Sequence, residues 1–380
     1  MKHSARLLSA NVMAQVIGLA VYPLLTRLYS SADFGLLHLF LSIGGVLVLL
    51  ACCEYHYAVV LPHDEERSLA LVRWTVVLVT AMTVLLLLTL PLSGVIADGF
   101  EVPELARWWW LMPLFVLFSG LWNVLNYWYI HTARFKHIGA YQVSLSVLSA
   151  GNKLGFGYAG WLRGGLVLSV VIAPLVALLM QLAAMGREII SLFRTWDWQQ
   201  MRRVAREYKN FPLFNLPRAL VNTFGASLPV WLLTPYFGLE QVGYFSLAIT
   251  AAFLPMNIIA RSCYQVLYGQ VADMVGQHQP VRGLVAKFVL WTALPLLFVL
   301  PVIYLFVPEL VSLLFGAGWE MTAEVIRRLF PYVALTPLCG ALCFVSDVFM
   351  RQKMAMWLEV GLKSESNTSI EYLSYSPSLT

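Results

Sequence analysis

Apolar runs of about 20 residues recur along most of this chain, and they constrain its fold more than any other feature. Hydrocarbon offers no water to backbone N–H and C=O groups, so each run has to close its hydrogen bonds internally as a helix. The 380 residues are 59% hydrophobic and 12% charged, against about 25% charged for an ordinary soluble domain. That excludes a soluble globular enzyme. The sequence predicts an all-α polytopic membrane protein with about ten transmembrane helices, at residues 7–28, 34–58, 71–92, 107–131, 138–158, 165–186, 212–234, 242–265, 284–306 and 326–349. No cleavable signal peptide is expected, because the first run, Leu7 to Leu25, lacks a small-residue cleavage site and leads directly into the next span.

The runs fall into two sets. Thr26-Arg27-Leu28-Tyr29-Ser30-Ser31-Ala32-Asp33-Phe34-Gly35 joins two apolar runs, and Pro235-Tyr236-Phe237-Gly238-Leu239-Glu240-Gln241-Val242-Gly243-Tyr244-Phe245 joins two more in the same way. Gly35 and Gly243 then match at an offset of 208. Glu104, Arg107 and Gly120 line up with Glu324, Arg327 and Gly340 at an offset of 220. Two repeated helical-bundle lobes follow, an architecture in which secondary transporters hold substrate between the repeats near the midplane. The division is a six-helix lobe at 1–186, a cytoplasmic amphipathic linker at 187–210, and a second lobe at 211–358 of four helices plus a stub. Residues 359–380 are a polar tail; Lys363 to Thr380 is Ser-rich and cannot span, so the second lobe is expected to be incomplete.

Charge sets the topology. Sixteen Lys and Arg lie near span ends on one side, six of them between Arg187 and Lys209, against five on the other. The positive-inside rule then makes the N-terminus cytoplasmic. Short loops leave no room for a soluble catalytic domain. In the longest, Trp198, Met201, Val204, Ala205 and Tyr208 share helical spacing with Arg202, Arg203 and Arg206 between them, the pattern of a helix lying on the cytoplasmic membrane surface. Trp108-Trp109-Trp110 is expected to anchor at the interface, with sugar stacking as a second use. Cys52, Cys53, Cys263, Cys339 and Cys343 sit in apolar runs with no His or carboxylate to complete a ligand set, so they are read as packing residues, and no cofactor is expected.

The order of several short motifs resembles bacterial polysaccharide-unit flippases of the multidrug/oligosaccharidyl-lipid/polysaccharide exporter superfamily. In the first lobe these are Pro23-Leu24-Leu25-Thr26-Arg27-Leu28-Tyr29-Ser30, Asp33-Phe34-Gly35 and Tyr57-Ala58-Val59-Val60-Leu61-Pro62. In the second they are Phe211-Pro212, Pro217, Asn222, Pro229, Phe237-Gly238, Gly243-Tyr244-Phe245 and Pro255. The resemblance covers about residues 5–358 and implies translocation of undecaprenyl-pyrophosphate-linked oligosaccharide across the bacterial inner membrane, through a cationic central cavity. Partners implied are the lipid-linked oligosaccharide, membrane lipids, and a polysaccharide polymerase with its chain-length machinery; nucleic acid is not among them.

Five ionisable residues fall within or at the ends of spans: Glu54, Lys153, Arg218, Arg261 and Asp347. Each costs a few kcal/mol at the bilayer centre, so each should face the bundle interior or a wet cavity. Lys153, Arg218 and Arg261 are the candidate pyrophosphate ligands, since cations stabilise an anion in a low-dielectric path. Lys153, mid-span between Gly151-Asn152 and Gly155, either lines the cavity or pairs with a buried carboxylate. Arg218, just after Pro217, and Arg261, near a cytoplasmic end, either line it or snorkel to headgroups. Glu54 and Asp347 either carry coupling protons or pair with these cations. Competing readings are another exporter of the superfamily, for drugs or peptidoglycan precursors, and an integral-membrane polysaccharide polymerase or ligase. The last would carry a long outer loop rich in Arg or His; the outer loops here are short and lean acidic (Asp98, Glu101, Glu240, Glu309, Glu320).

Overall fold

A computed structural model describes residues 2–186, 196–276 and 282–331, which are helical with short connections and contain no strand among them. Asp347 and the expected tail therefore lie outside the described residues. The chain divides into two compact units, Met1–Gly243 and Tyr244–Thr380. Four helices are long and apolar enough to cross a membrane, Ser31–Cys52, Glu65–Leu88, Leu111–His131 and Gly164–Met185, and Val12–Leu28 and Tyr304–Phe315 are shorter apolar helices. This is an all-α polytopic membrane protein.

The first unit opens with α1 (Lys2–Leu28) and α2 (Ser31–Cys52). The break between them is a capping box: the Ser30 backbone N–H donates to Asp33 Oδ2 (3.0 Å), and the Asp33 N–H donates to Ser30 Oγ (3.3 Å). Both orphan donors at the start of α2 are thereby satisfied. The span expected to run to residue 58 stops at Cys52, because Cys53 (φ 45°) and Glu54 (φ 61°) are left-handed and turn the chain into the one-turn α3 (Tyr55–Ala58). Two non-glycine residues in that region cost roughly 1–3 kcal/mol each, so the turn is held by its surroundings. Tyr55 and Ala58 are buried in the largest core cluster, with Leu71, Trp122, Trp128, Tyr129 and Tyr141.

Next come α4 (Glu65–Leu88), α5 (Ser93–Gly99), α6 (Pro103–Trp108), α7 (Leu111–His131), α8 (Phe135–Tyr158) and α9 (Leu162–Met185). α8 packs along α1 and α9, and α7 packs against α4; α2 touches α4, α7 and α9. Trp122 of α7 stacks on Tyr141 of α8 with centroids 3.2 Å apart, and Gly120 admits Val79 of α4 so closely that a Cβ would lie 2.8 Å from it. The tryptophan triplet is not a uniform interfacial anchor. Trp109 is buried and donates to Thr89 Oγ1 (3.0 Å), the Trp108 ring fills the space over Gly164, and only Trp110 stays half exposed.

The linker helix α10 (Trp198–Glu207) is capped by Asp197, whose Oδ1 accepts from the Gln199 and Gln200 N–H groups (2.8 and 3.1 Å). Its apolar face does not lie on lipid. Met201, Val204 and Ala205 are buried in the same core as Tyr55 and Leu71, α10 packs on α4, and Tyr55 Oη donates to the Ala205 carbonyl (3.1 Å). Arg67 and Glu207 form an exposed ion pair across the same contact. A π-turn at Phe211–Asn215, closed by the Leu216 N–H on the Phe211 carbonyl, leads into α11 (Leu216–Gly276). The expected turn between the seventh and eighth spans is reduced to a break within α11 at Gly238 (φ 76°, ψ 173°), a conformation that favours glycine.

The second unit holds α11 from Tyr244 onward, α12 (Arg282–Phe315) and α13 (320–331). Arg327 donates from Nε to the Tyr304 carbonyl (3.1 Å) and from Nη2 to that of Leu305 (3.3 Å), while Glu324 accepts from Arg328 Nε (2.9 Å). The repeat-matched Arg107 and Arg327 each sit over an aromatic ring, Trp108 at 5.9 Å and Tyr304 at 5.4 Å.

Candidate functional site

Lys153 lies past the middle of α8, between two glycines one turn apart. A Cβ on Gly151 or on Gly155 would meet nothing within 4 Å, so α8 is open on both sides of the lysine. Its backbone carbonyl accepts from Tyr29 Oη (2.7 Å), which ties that stretch of α8 to the end of α1. The side chain is half-buried and has no carboxylate partner among the described residues. Pairing with a buried acid, one of its two readings from sequence, is thus not what holds it.

Two further polar groups stand near it. The Lys153 ammonium acts electrostatically on His38 of α2, and His38 Nε2 is buried with no hydrogen-bond partner. Asn152, the residue before Lys153, likewise has a buried Nδ2 without a partner. An unsatisfied buried polar atom costs about 1–3 kcal/mol. One ammonium, one orphaned amide donor and one orphaned imidazole nitrogen make a place where an oxygen-rich anion gains more than water loses. Sequence reading passed over His38 and Asn152. A signal for His38 existed: Ser31, Gly35, His38 and Ser42 recur at i, i+4, i+7 and i+11, a narrow non-aliphatic face on an apolar helix.

The other candidates are placed differently. Arg218 is in the first turn of α11, after the π-turn; it is exposed and makes no hydrogen bond or ion pair among the described residues. Nothing joins it to Lys153. Glu54 is 4% exposed at the left-handed turn beyond α2, near Cys52 and Tyr127 and away from any cation among the described residues; burial holds its carboxyl above the usual carboxylate range. Arg261 is in α11 within the second unit, and its side chain lies outside the described set, as does all of Asp347.

A family model described as polysaccharide biosynthesis protein matches residues 24–324. The chain belongs to that polysaccharide biosynthesis family. No curated protein matches it. Among solved structures, the chain is similar to one described as the inward-facing conformation of a multidrug resistance MATE family transporter of the MOP superfamily. That match has 15% identity and a TM-score of 0.57, over 90% of this chain and 80% of that one. It is similar also to the MATE multidrug transporter DinF-BH in complex with R6G, at 16% identity and TM-score 0.57, over 93% and 85%. This polysaccharide biosynthesis family member therefore has the fold of MOP-superfamily transporters.

Proposed function

We propose that this chain flips undecaprenyl-pyrophosphate-linked oligosaccharide repeat units across the bacterial inner membrane by alternating access, for lipopolysaccharide O-antigen or capsule synthesis. The observation that carries the reading is Lys153, half-buried with no acid partner beside the orphaned nitrogens of His38 and Asn152. A pyrophosphate supplies the charge and oxygen acceptors that this group lacks. On the same reading the N-terminus is cytoplasmic, residues 1–186 and 211–358 are the two lobes, and 187–210 links them. Arg218, exposed at the proposed cytoplasmic end of α11, is where the pyrophosphate is first met, with Arg261 and the acids Glu54 and Asp347 completing the charge set. The substrate is passed between a glycosyltransferase product and a polymerase with its chain-length machinery. The chain acts as a transporter and not as the polymerase.

The multidrug exporters of the same fold favour a second reading, another exporter of the superfamily. One experiment separates the two. In a strain whose surface polysaccharide depends on this chain, Lys153→Ala and Arg218→Ala should each cut display severalfold at unchanged protein abundance, and Arg218→Lys should retain part of it. Lysine keeps the point charge and loses the bidentate fork. Wild-type display from both alanine variants would reject the pyrophosphate role.

A further inference from the structure

The two glycines matched by the repeat meet each other's helices. Ser31 and Gly35 open α2; Leu239 and Gly243, each 208 residues on, follow the break in α11. A Cβ built on Gly35 would overlap the Leu239 carbonyl, 2.7 Å from its carbon and 3.1 Å from the Leu239 Cα. A Cβ built on Gly243 would overlap the Ser31 carbonyl, 2.6 Å from its carbon and 3.0 Å from the Ser31 Cα. The two contacts are one contact seen from either side, as an approximate two-fold relation requires. All four residues belong to the first unit.

We infer that this reciprocal Gly35–Gly243 crossing is a separable seal at the outer end of the transport path. Backbones approach this closely only where both helices lack a side chain. The capping box holds the start of α2, and the Gly238 break sets the start of the facing segment, so both partners are preset in position. Further along α2, the Trp231 indole donates to Ser42 Oγ (2.9 Å). Backbone against backbone buries little apolar area, so the seam is tight while closed and loses little when it parts. A seam interlocked by large side chains would have to be unpacked on every cycle.

The inference rests on the proposed topology, which puts both turns outside, and its readout is thiol labelling, independent of polysaccharide display. In a cysteine-free chain, Thr234→Cys is the probe, since Thr234 is 1% exposed and lies one turn from Trp231. Tyr236→Cys, 78% exposed, reports sidedness. With a membrane-impermeant maleimide applied to the outer face, Tyr236→Cys should label and Thr234→Cys should not. Adding Gly35→Ala or Gly243→Ala should raise Thr234→Cys labelling about tenfold by shifting the population toward the parted state. Gly18→Ala, where a Cβ meets nothing within 4 Å, should not. Unchanged labelling in both alanine backgrounds overturns the seal. Should neither alanine chain accumulate, Trp231→Phe, which removes only the neighbouring hydrogen bond, decides: increased labelling supports the seal and none overturns it. Labelling of Tyr236→Cys from the cytoplasmic face alone would overturn the topology and the outer placement together.

Discussion

Lys153 is an unfavourable residue for its position: a half-buried cation on a spanning helix, without an acid, beside two nitrogens that also lack partners. Stability alone would replace it. Lys153→Met keeps the stem and drops the charge, so it should raise the melting temperature in detergent while lowering polysaccharide display; a lysine serving structure would lose both. Glu54 allows a signed pH test. Burial raises its folded-state pKa, so the native chain binds the extra proton, and stability falls as pH rises from the unfolded value through the folded one. Glu54→Gln has no proton to lose. Its melting temperature should exceed that of the parent at pH 8, and the gap should close as pH falls below the ordinary carboxylate range.

At the scale of elements, α10 shows how far periodicity reaches. The spacing of Trp198, Met201, Val204 and Ala205 predicts the helix and its apolar face, and both are present. What covers the face is α4, Tyr55 and Trp74, not lipid: the Trp74 and Trp198 rings lie 5.6 Å apart, and Met201 is fully buried. An apolar stripe reads the same whether protein or bilayer receives it. Met201→Ala should therefore cost about 2–5 kcal/mol, measured as a lowered midpoint in thermal unfolding. Arg67→Ala removes an exposed ion pair across the same contact and should cost no more than about 1 kcal/mol. A helix resting on lipid would show no such difference between the two.

For the whole molecule, the two-fold repeat is the organising fact, and its consequences can be tested without a substrate. The positive-inside distribution requires a reporter fused after His137 to be cytoplasmic and one fused after Glu101 to be periplasmic. Exchanged signals would invert every connection, including the two turns that carry Gly35 and Gly243. Shared fold with multidrug transporters and membership of a polysaccharide biosynthesis family together limit the role to a carrier-type architecture in a polysaccharide pathway. Within it, the charge of the interior around Lys153 is what distinguishes an anionic lipid-linked cargo.

The helical class, the membrane, the repeat and the family were all written locally: in run length, in the order of Pro, Gly and aromatic residues, and in Lys and Arg counts near span ends. Such properties follow from backbone hydrogen bonding and side-chain period within one segment, so no knowledge of neighbours is needed to read them. Gly35 and Gly243 were legible as matched positions, yet only the path of α2 and α11 decided that they touch. His38 was legible as one polar residue on an apolar helix; only the packing that brings Lys153 of α8 toward α2 made it part of a site. The left-handed turn at Cys53 and Glu54 had no Gly or Pro to mark it, because it is imposed by the buried Tyr55 and Ala58 that follow. Contacts between distant segments depend on where the whole chain runs, and a one-dimensional period carries no record of that.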